Sequence, residues 1–411
     1  MATVRPFRAL RPRADDAARV AAVPYDVVTT GEARELADGN PLSFLRVSRP
    51  ELELPPGADP YSDEVYQRAA ANFDRLSSAA LTLEDHPRLY FYRLRSGAHE
   101  QVGLAGCYSL DEYDSGIIRK HERTRRDKED DRTRHMLALG AQTGPVFLVY
   151  RAAAFVDAIT ARVTGGAPLI DFEAADGVRH TLWTAGDGDR DELIAAFGRI
   201  PVLYIADGHH RAASAARARD ELRQRPAGLG AADADAATFL AVAFPHDQVR
   251  ILPYNRIVKD LGSRTPGQFV DAIRTRLDVT PGSAVPSGRG EIAMYLDRQW
   301  YALRPRTAPD ARDPIASLDV SVLQTQLLEP VLGIGDVRTD KRIDFVGGAR
   351  GAAELVRLVD SGAAAVGFSL HPVGIDDLMA VADAGEIMPP KSTWFEPKLR
   401  DGLLIHMIFR T

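Results

Sequence analysis

The chain has 411 residues, a hydrophobic fraction of 45%, a charged fraction of 26% and a formal net charge of −6. This is the composition of a globular protein with enough length for two domains. The charge balance argues against a protein that coats nucleic acid. No apolar stretch is long enough to cross a bilayer, and the N-terminal residues lack the pattern of a signal peptide, so a cytoplasmic location is expected. The single cysteine, Cys107, excludes an intrachain disulfide and a cysteine-based zinc cage. Between Gly106 and Tyr108 it reads as a small buried residue.

Val23-Pro24-Tyr25-Asp26-Val27-Val28 leads into a helix predicted over 30–37, capped by Thr29 or Thr30. Asn40-Pro41-Leu42-Ser43-Phe44-Leu45-Arg46-Val47 reads as a turn entering a strand. A proline- and glycine-rich connection over 55–60 precedes a helix over 63–80, and strands follow at 88–94 and 101–110. The densest charge run of the chain occupies 119–132, and its second half predicts a helix to about Leu139, stopped by Thr143-Gly144-Pro145. A buried strand at 146–150 comes next, then helices over 155–163 and 189–197 on either side of a hairpin at Ala175-Asp176-Gly177.

A buried strand over 201–206 then hands over to a helix over 210–223. Beyond it lie a small-residue loop over 226–236, expected to be mobile, a strand over 239–244 and a polar turn, Pro253-Tyr254-Asn255-Arg256. The last third alternates strands with helices over 266–277, 320–328 and 350–359, and ends in the loop Met388-Pro389-Pro390-Lys391-Ser392-Thr393. Strands and helices intermixed without strict alternation predict an α/β to α+β fold with mixed sheets. A catalytic region over 1–260 and a C-terminal α/β region over 261–411 are expected.

The join Asp207-Gly208-His209-His210-Arg211 places a carboxylate, a glycine, two imidazoles and a guanidinium in five positions. Glycine permits a tight turn, and the first amides of the next helix, with the helix dipole, favour an anion. Arg211 adds a group that grips phosphate in bidentate fashion. The plainer alternative is that Asp207 caps the helix and the histidines are solvated, but such groups rarely converge without a ligand.

The run from Arg119 to Arg132 reads equally as a solvated helix face with i,i+4 pairs or as a site. In the second reading, arginines and lysine serve a polyphosphate, and Glu122, in a loop after a strand, serves as a base. Lys391-Ser392-Thr393, stiffened by two prolines, suits a phosphate or a carboxylate, or a helix cap. Walker A, Gly-x-Gly-x-x-Gly, His-Glu-x-x-His and Gly-x-Ser-x-Gly patterns are absent from the sequence.

The strand-turn carrying Asp207-Gly208-His209-His210-Arg211 resembles the signature of the ParB/sulfiredoxin superfamily, in which such a turn binds nucleotide phosphates. Nearly the whole chain resembles a bacterial and archaeal family catalogued as a domain of unknown function, DUF1015. The matching pieces are Arg5-Pro6-Phe7-Arg8-Ala9-Leu10, Pro24-Tyr25-Asp26-Val27-Val28, Asn40-Pro41-Leu42-Ser43-Phe44-Leu45, His121-Glu122-Arg123-Thr124 through Arg132, the Asp207–Arg211 turn, Pro253-Tyr254-Asn255-Arg256 and Met388-Pro389-Pro390-Lys391-Ser392-Thr393. The superfamily includes free serine kinases, so the resemblance implies transfer of a nucleotide's terminal phosphoryl group, from ATP or else ADP, to the hydroxyl of L-serine.

It implies Mg²⁺, oriented by Asp207, and phosphates held by Gly208, His210 and Arg211 with Arg125, Arg126 and Lys128. Glu122, Asp207, His209 and His210 are the implied catalytic set. Asp26, Asn255, Arg256, Lys391, Ser392 and Thr393 are the implied substrate set. A nucleotide-binding regulator without phosphotransfer and a metal-dependent phosphohydrolase are the alternatives. The sequence leaves the oligomeric state open, a homodimer included.

Overall fold

The computed structural model describes residues 1–55, 57–225, 233–310 and 312–409. The chain forms two compact units, one comprising Met1–Val249 with Pro397–Thr411 and the other Arg250–Glu396. The division expected at 260/261 thus falls at Val249/Arg250, and the last segment of the chain returns to the first unit. Backbone pairing explains the return. Ile405–Met407 pairs with both Ala9–Pro12 and Ala141–Gln142, and Asp401 exchanges two backbone hydrogen bonds with Ala22, of 2.9 and 3.1 Å.

The fold is mixed α/β, as the intermixed elements predict. Among the described residues, the main sheet of the first unit orders the strands Ile118–Arg119, Leu203–Asp207, Val146–Tyr150, Thr238–Pro245, His99–Ser109, Tyr90–Ser96, Arg179–Thr184 and Ile170–Glu173, with Val4–Arg5 pairing separately on His99–Ser109. Leu203–Asp207 runs parallel to Ile118–Arg119, and Thr238–Pro245 runs parallel to Val146–Tyr150. Both Val146–Tyr150 and Thr238–Pro245 are buried along their whole length, which accounts for their unbroken apolar sequence.

Helix His209–Arg223 lays Ala212, Ala215, Ala216, Ala218 and Leu222 into the core formed with Leu148, Ile205, Ala241 and Ala243. Cys107 lies in the interior, as its neighbours predict, and burial pushes its thiol pKa up.

A second core gathers Phe44, Leu45, Val47, Phe73, Leu76 and Ile405 around helices Thr30–Ala37 and Asp63–Ala80. The first of these begins with a capping box, in which Thr29 Oγ1 accepts from the Glu32 amide at 3.2 Å and the Glu32 carboxylate accepts from the Thr29 amide at 2.8 Å. The strand expected after Asn40 is instead a short helix, Leu45–Ser48. Arg46 donates to the carbonyls of Ala37 and Asn40 at 2.9 and 3.1 Å and pulls the chain back on itself. A short apolar run alone cannot separate a buried strand from a buried turn of helix. Of the loop expected over 226–236, residues 226–232 lie outside the described residues, and Asp233–Ala236 forms a short helix.

The second unit is built on an antiparallel sheet ordered Leu277–Pro281, Gln299–Pro305, Ile292–Leu296, Val366–Leu370, Asn255–Val258 and Ile343–Val346. Asn255 and Arg256, read in the sequence as part of a polar turn, open one of these strands and are buried.

Gly402 marks how closely the returning segment packs. Its φ is +82°, and a Cβ there would lie 2.5 Å from Phe44 Cδ2. Gly402→Ala is expected to destabilise the protein by roughly 2–4 kcal/mol, from left-handed strain and overpacking together. A denaturant midpoint unchanged from the parent would show that the segment is not held in this way.

Candidate functional site

The parallel pairing sets the site. Leu203 and Tyr204 lie in register with Ile118 and Arg119, and parallel neighbours deliver their C-terminal ends to the same edge of a sheet. The loop after Arg119 therefore meets the turn after Ile205, although about 85 residues separate the two segments. Gly208 makes the turn at φ +92°. A side chain at Gly208 would meet the Arg211 guanidinium, with its Cβ only 2.9 Å from Nε. The helix then starts at His209, one residue earlier than the sequence predicts.

Arg211 folds back beneath the turn, donating through Nη1 to the Pro145 carbonyl at 2.6 Å and through Nη2 to Asp207 Oδ2 at 2.7 Å. The other carboxylate oxygen, Oδ1, accepts from Lys398 Nζ at 3.1 Å. Burial works to raise the Asp207 pKa, but the charges of Lys398 and Arg211 outweigh it and hold the carboxyl well below its usual range. Two cations therefore share one carboxylate, and the helix N-terminus carries a positive excess. Asp207 acts as their counter-ion, so the geometry does not give it the metal-ligand position the sequence suggested.

Asp401 lies on the other side of Arg211, lining a cavity of about 40 Å³ with Tyr25, Arg132, Gly144 and Arg211. Its Oδ1 is buried without a hydrogen-bond partner among the described residues. Burial pushes its carboxyl up to about 7 against the opposing pull of Arg211, and the charge of Asp26 adds to the rise. Gly144 is required here, because a Cβ would overlap Asp401 Oδ1.

The charge run meets the turn through its backbone and two side chains. The Arg125 amide donates to His210 Nε2 at 3.0 Å, and the His121 amide faces His209 Nε2 at 3.5 Å. His210 Nε2 is an acceptor, so His210 does not offer Nε2–H to a phosphate, whereas the contact at 3.5 Å is too long to fix the His209 tautomer. His209 Nδ1 lies 3.7 Å from Glu122 Oε2. The rings of His121 and His209 meet edge to face, with centroids 4.5 Å apart. Burial lowers the pKa of both imidazoles, to about 4 for His121 and well below the usual value for His209, where His121 adds to the effect.

The three cations of the run assigned to phosphate make other contacts or lie exposed. Arg125 pairs with Asp127 at 2.6 Å, Arg126 is exposed, and Lys128 donates to the Tyr61 hydroxyl at 3.1 Å.

The run's helix, Arg126–Leu139, is not a solvated face: Asp131, Thr133, His135 and Met136 are buried. One side of it meets helix His209–Arg223, where Ser214 Oγ donates to the Glu129 carbonyl at 3.2 Å and Arg217 pairs with Glu129 and Asp130. On the other, Asp131 accepts from the Tyr66 hydroxyl at 2.9 Å and from Arg132 at 2.8 Å. Arg132 in turn stacks on Tyr25, 4.2 Å from its ring centroid. The neighbouring Asp26 is exposed.

Asn255, Arg256, Lys391, Ser392 and Thr393 belong to the second unit. Arg256 is buried and donates to the carbonyls of Tyr254, Pro390 and Lys391 at 2.7–3.2 Å. Burial lowers its pKa to about 10. It is thus the clamp of the proline loop, in place of the substrate contact expected of it. Asn255 Oδ1 accepts from the Leu370 amide at 3.1 Å, and Ser392 Oγ donates to the Pro389 carbonyl at 2.6 Å. Lys391 sits at φ +58° with its ammonium 5.5 Å from the Tyr254 ring centroid, and Thr393 is partly buried.

A family model described as "Protein of unknown function (DUF1015)" matches residues 4–321. The chain belongs to this family. No curated protein matches it. Among solved structures it is similar to a free serine kinase variant in complex with AMP, at 15% identity over 73% of this chain and 92% of that one, with a TM-score of 0.37. It is also similar to a conserved hypothetical protein from Pyrococcus furiosus, at 15% identity over 73% and 94% of the two chains, with a TM-score of 0.36.

Sequence reasoning assigned no role to Lys398 or Asp401, which reach the turn only because the chain end returns. Nor did it assign one to His121, although that residue stands in the matched run. Asp401 gives a pH test. The folded protein keeps a proton on Asp401 between pH about 4 and about 7 that the unfolded chain has released, so this group's contribution turns less favourable as pH rises through that window. The groups facing it are Arg211, Arg132, Tyr25 and Asp26. Asp401→Asn is expected to gain stability relative to the parent at pH 8, with a smaller gain at pH 5. Denaturant titrations showing the same difference at both values would mean that Asp401 ionises as an ordinary carboxyl.

Proposed function

We propose that this protein is a small-molecule kinase that transfers the terminal phosphoryl group of a nucleotide, ATP in the first instance, to the hydroxyl of free L-serine. The observation that carries the reading is the convergence of the Glu122 carboxylate and His209 at the N-terminus of helix His209–Arg223, beside two cations that share one carboxylate. Helix amides, the dipole and a fixed positive excess suit a polyphosphate. Phosphoryl transfer needs positioning and charge neutralisation more than covalent chemistry. The serine acceptor is what the resemblance of the Asp207–Arg211 turn to that of free serine kinases implies.

In this reading the amides after Gly208 hold the phosphates, with Arg211 and Lys398 fixing the local charge. Glu122 takes the proton of the acceptor hydroxyl as its oxygen bonds to the terminal phosphorus, and the bond from that phosphorus to the bridging oxygen breaks, releasing ADP. His209 positions Glu122. Asp26, exposed and close enough to act on Arg211 and Asp401, is the group proposed for the substrate ammonium. Mg²⁺ neutralises phosphate charge in such reactions. With Asp207 held by Arg211 and Lys398, the residues fit an ion that would be carried by the nucleotide's own phosphates.

Mass spectrometry for O-phosphoserine, with ATP and separately ADP as donor, tests the reading. Glu122→Gln should lower turnover by about 10²–10⁴-fold with little change in nucleotide affinity. Lys398→Met should weaken nucleotide binding by about tenfold, because it removes one of the two cations that give the helix start its positive excess. Nucleotide binding without product from either donor would favour a nucleotide-sensing module.

A further inference from the structure

We propose that His121, Glu122 and His209 form a binding site for a divalent transition-metal ion of the zinc class. One ring nitrogen from each histidine and one Glu122 oxygen all lie within 4.8 Å of one another. In a tetrahedral zinc site, with bonds of about 2.0–2.1 Å, such atoms stand about 3.4 Å apart. The cluster must close by about an ångström, and Glu122, whose side chain is 42% exposed, has the room to do so. Two imidazoles and one carboxylate select zinc and its neighbours over magnesium, which prefers oxygen. Three protein ligands leave a fourth position for water or a substrate oxygen.

An independent observation points to the same ion. His121 is 2% exposed, and its Nδ1 is buried without a hydrogen-bond partner among the described residues. The ring hydrogen-bonds to the backbone of Ile205, and with Nδ1 unpartnered that bond falls to Nε2. The Ile205 carbonyl thus fixes the tautomer in which Nδ1 carries a lone pair and no proton. A metal-bound histidine is ordinarily held in this way, its second nitrogen donating to a carbonyl or carboxylate. Buried acceptors in proteins are otherwise almost always satisfied. Asp207, already bound to Arg211 and Lys398, is not needed for the site.

The ion and the proton-accepting role compete for the Glu122 lone pair, so occupancy would withdraw Glu122 as a base. The site itself does not rest on phosphotransfer and is tested by binding alone. The full-length protein, stripped with a chelator, is titrated with Zn²⁺ by calorimetry and with Co²⁺ by visible absorption, without nucleotide. One ion per chain and a tetrahedral cobalt spectrum are expected. Glu122→Gln and His209→Ala should each weaken Zn²⁺ binding by at least tenfold, and exposed His86→Ala should not change it. Glu122→Gln serves if a histidine variant fails to fold, because its side chain is partly exposed. Absence of binding, or affinity unchanged in Glu122→Gln, would overturn the proposal.

Discussion

The Asp207 carboxylate, one oxygen on Arg211 and the other on Lys398, is the interaction on which the site depends. It joins two pieces of chain: the strand-turn-helix segment around Gly208 and a segment that returns after the second unit has been built. Arg211 carries the tie further to the Pro145 carbonyl, at the entrance to the neighbouring strand. Removing a partner from such a cluster leaves a poorly compensated charge with little access to water, at a cost of about 3–5 kcal/mol for a fully buried pair. The same cluster fixes Gly208, because the space a side chain would need is filled by the Arg211 guanidinium.

Around this tie, charge is buried where the sequence reads as solvated. Helix Arg126–Leu139 carries one of the most polar stretches of the chain, yet it lies between helices Asp63–Ala80 and His209–Arg223. Its less exposed carboxylates are accommodated by partners: Asp131 by Tyr66 across one interface and by its neighbour Arg132, Glu129 by Arg217 across the other. Small residues make the approach close, as where Ser214 on the alanine-rich helix reaches the Glu129 backbone. A buried polar network of this kind is stable only when its members are satisfied. Among the buried polar atoms without a hydrogen-bond partner in the described residues are His121 Nδ1 and Asp401 Oδ1. Both lie beside the turn.

The second unit shows the opposite use of a cation. Arg256 is fully engaged by backbone carbonyls, with no carboxylate among its hydrogen-bond partners. It orders the loop that ends in Lys391 at a positive φ, a conformation unusual for a residue with a Cβ. Tyr254, which supplies one of those carbonyls, also packs its ring edge to face against Trp394, with centroids 5.5 Å apart. The Tyr254–Arg256 segment and the proline loop therefore build structure, and their polar atoms are largely spent on the loop itself.

Local chemistry was legible in the sequence. Thr29 with Glu32 dictates a helix start, a continuous apolar run bounded by turns dictates the strands Val146–Tyr150 and Thr238–Pro245, and glycine between strand and helix dictates the turn at Gly208. Each signal lies within a few residues of the element it determines. Glu122 and the histidines of the turn were also legible, because their residue types alone mark them. Proximity between distant segments was decided by the tertiary structure. The parallel register of Ile118–Arg119 with Leu203–Tyr204 brings His121 and Glu122 to His209, and the pairing of Ile405–Met407 with Ala9–Pro12 brings Lys398 and Asp401 to Arg211. The sequence could not decide whether Leu45–Val47 is strand or helix, or whether Arg256 meets a ligand or a carbonyl. Hydrogen-bond partners settle both: the Ala37 and Asn40 carbonyls for Arg46, and the carbonyls of Pro390 and Lys391, which the fold brings from far along the chain, for Arg256.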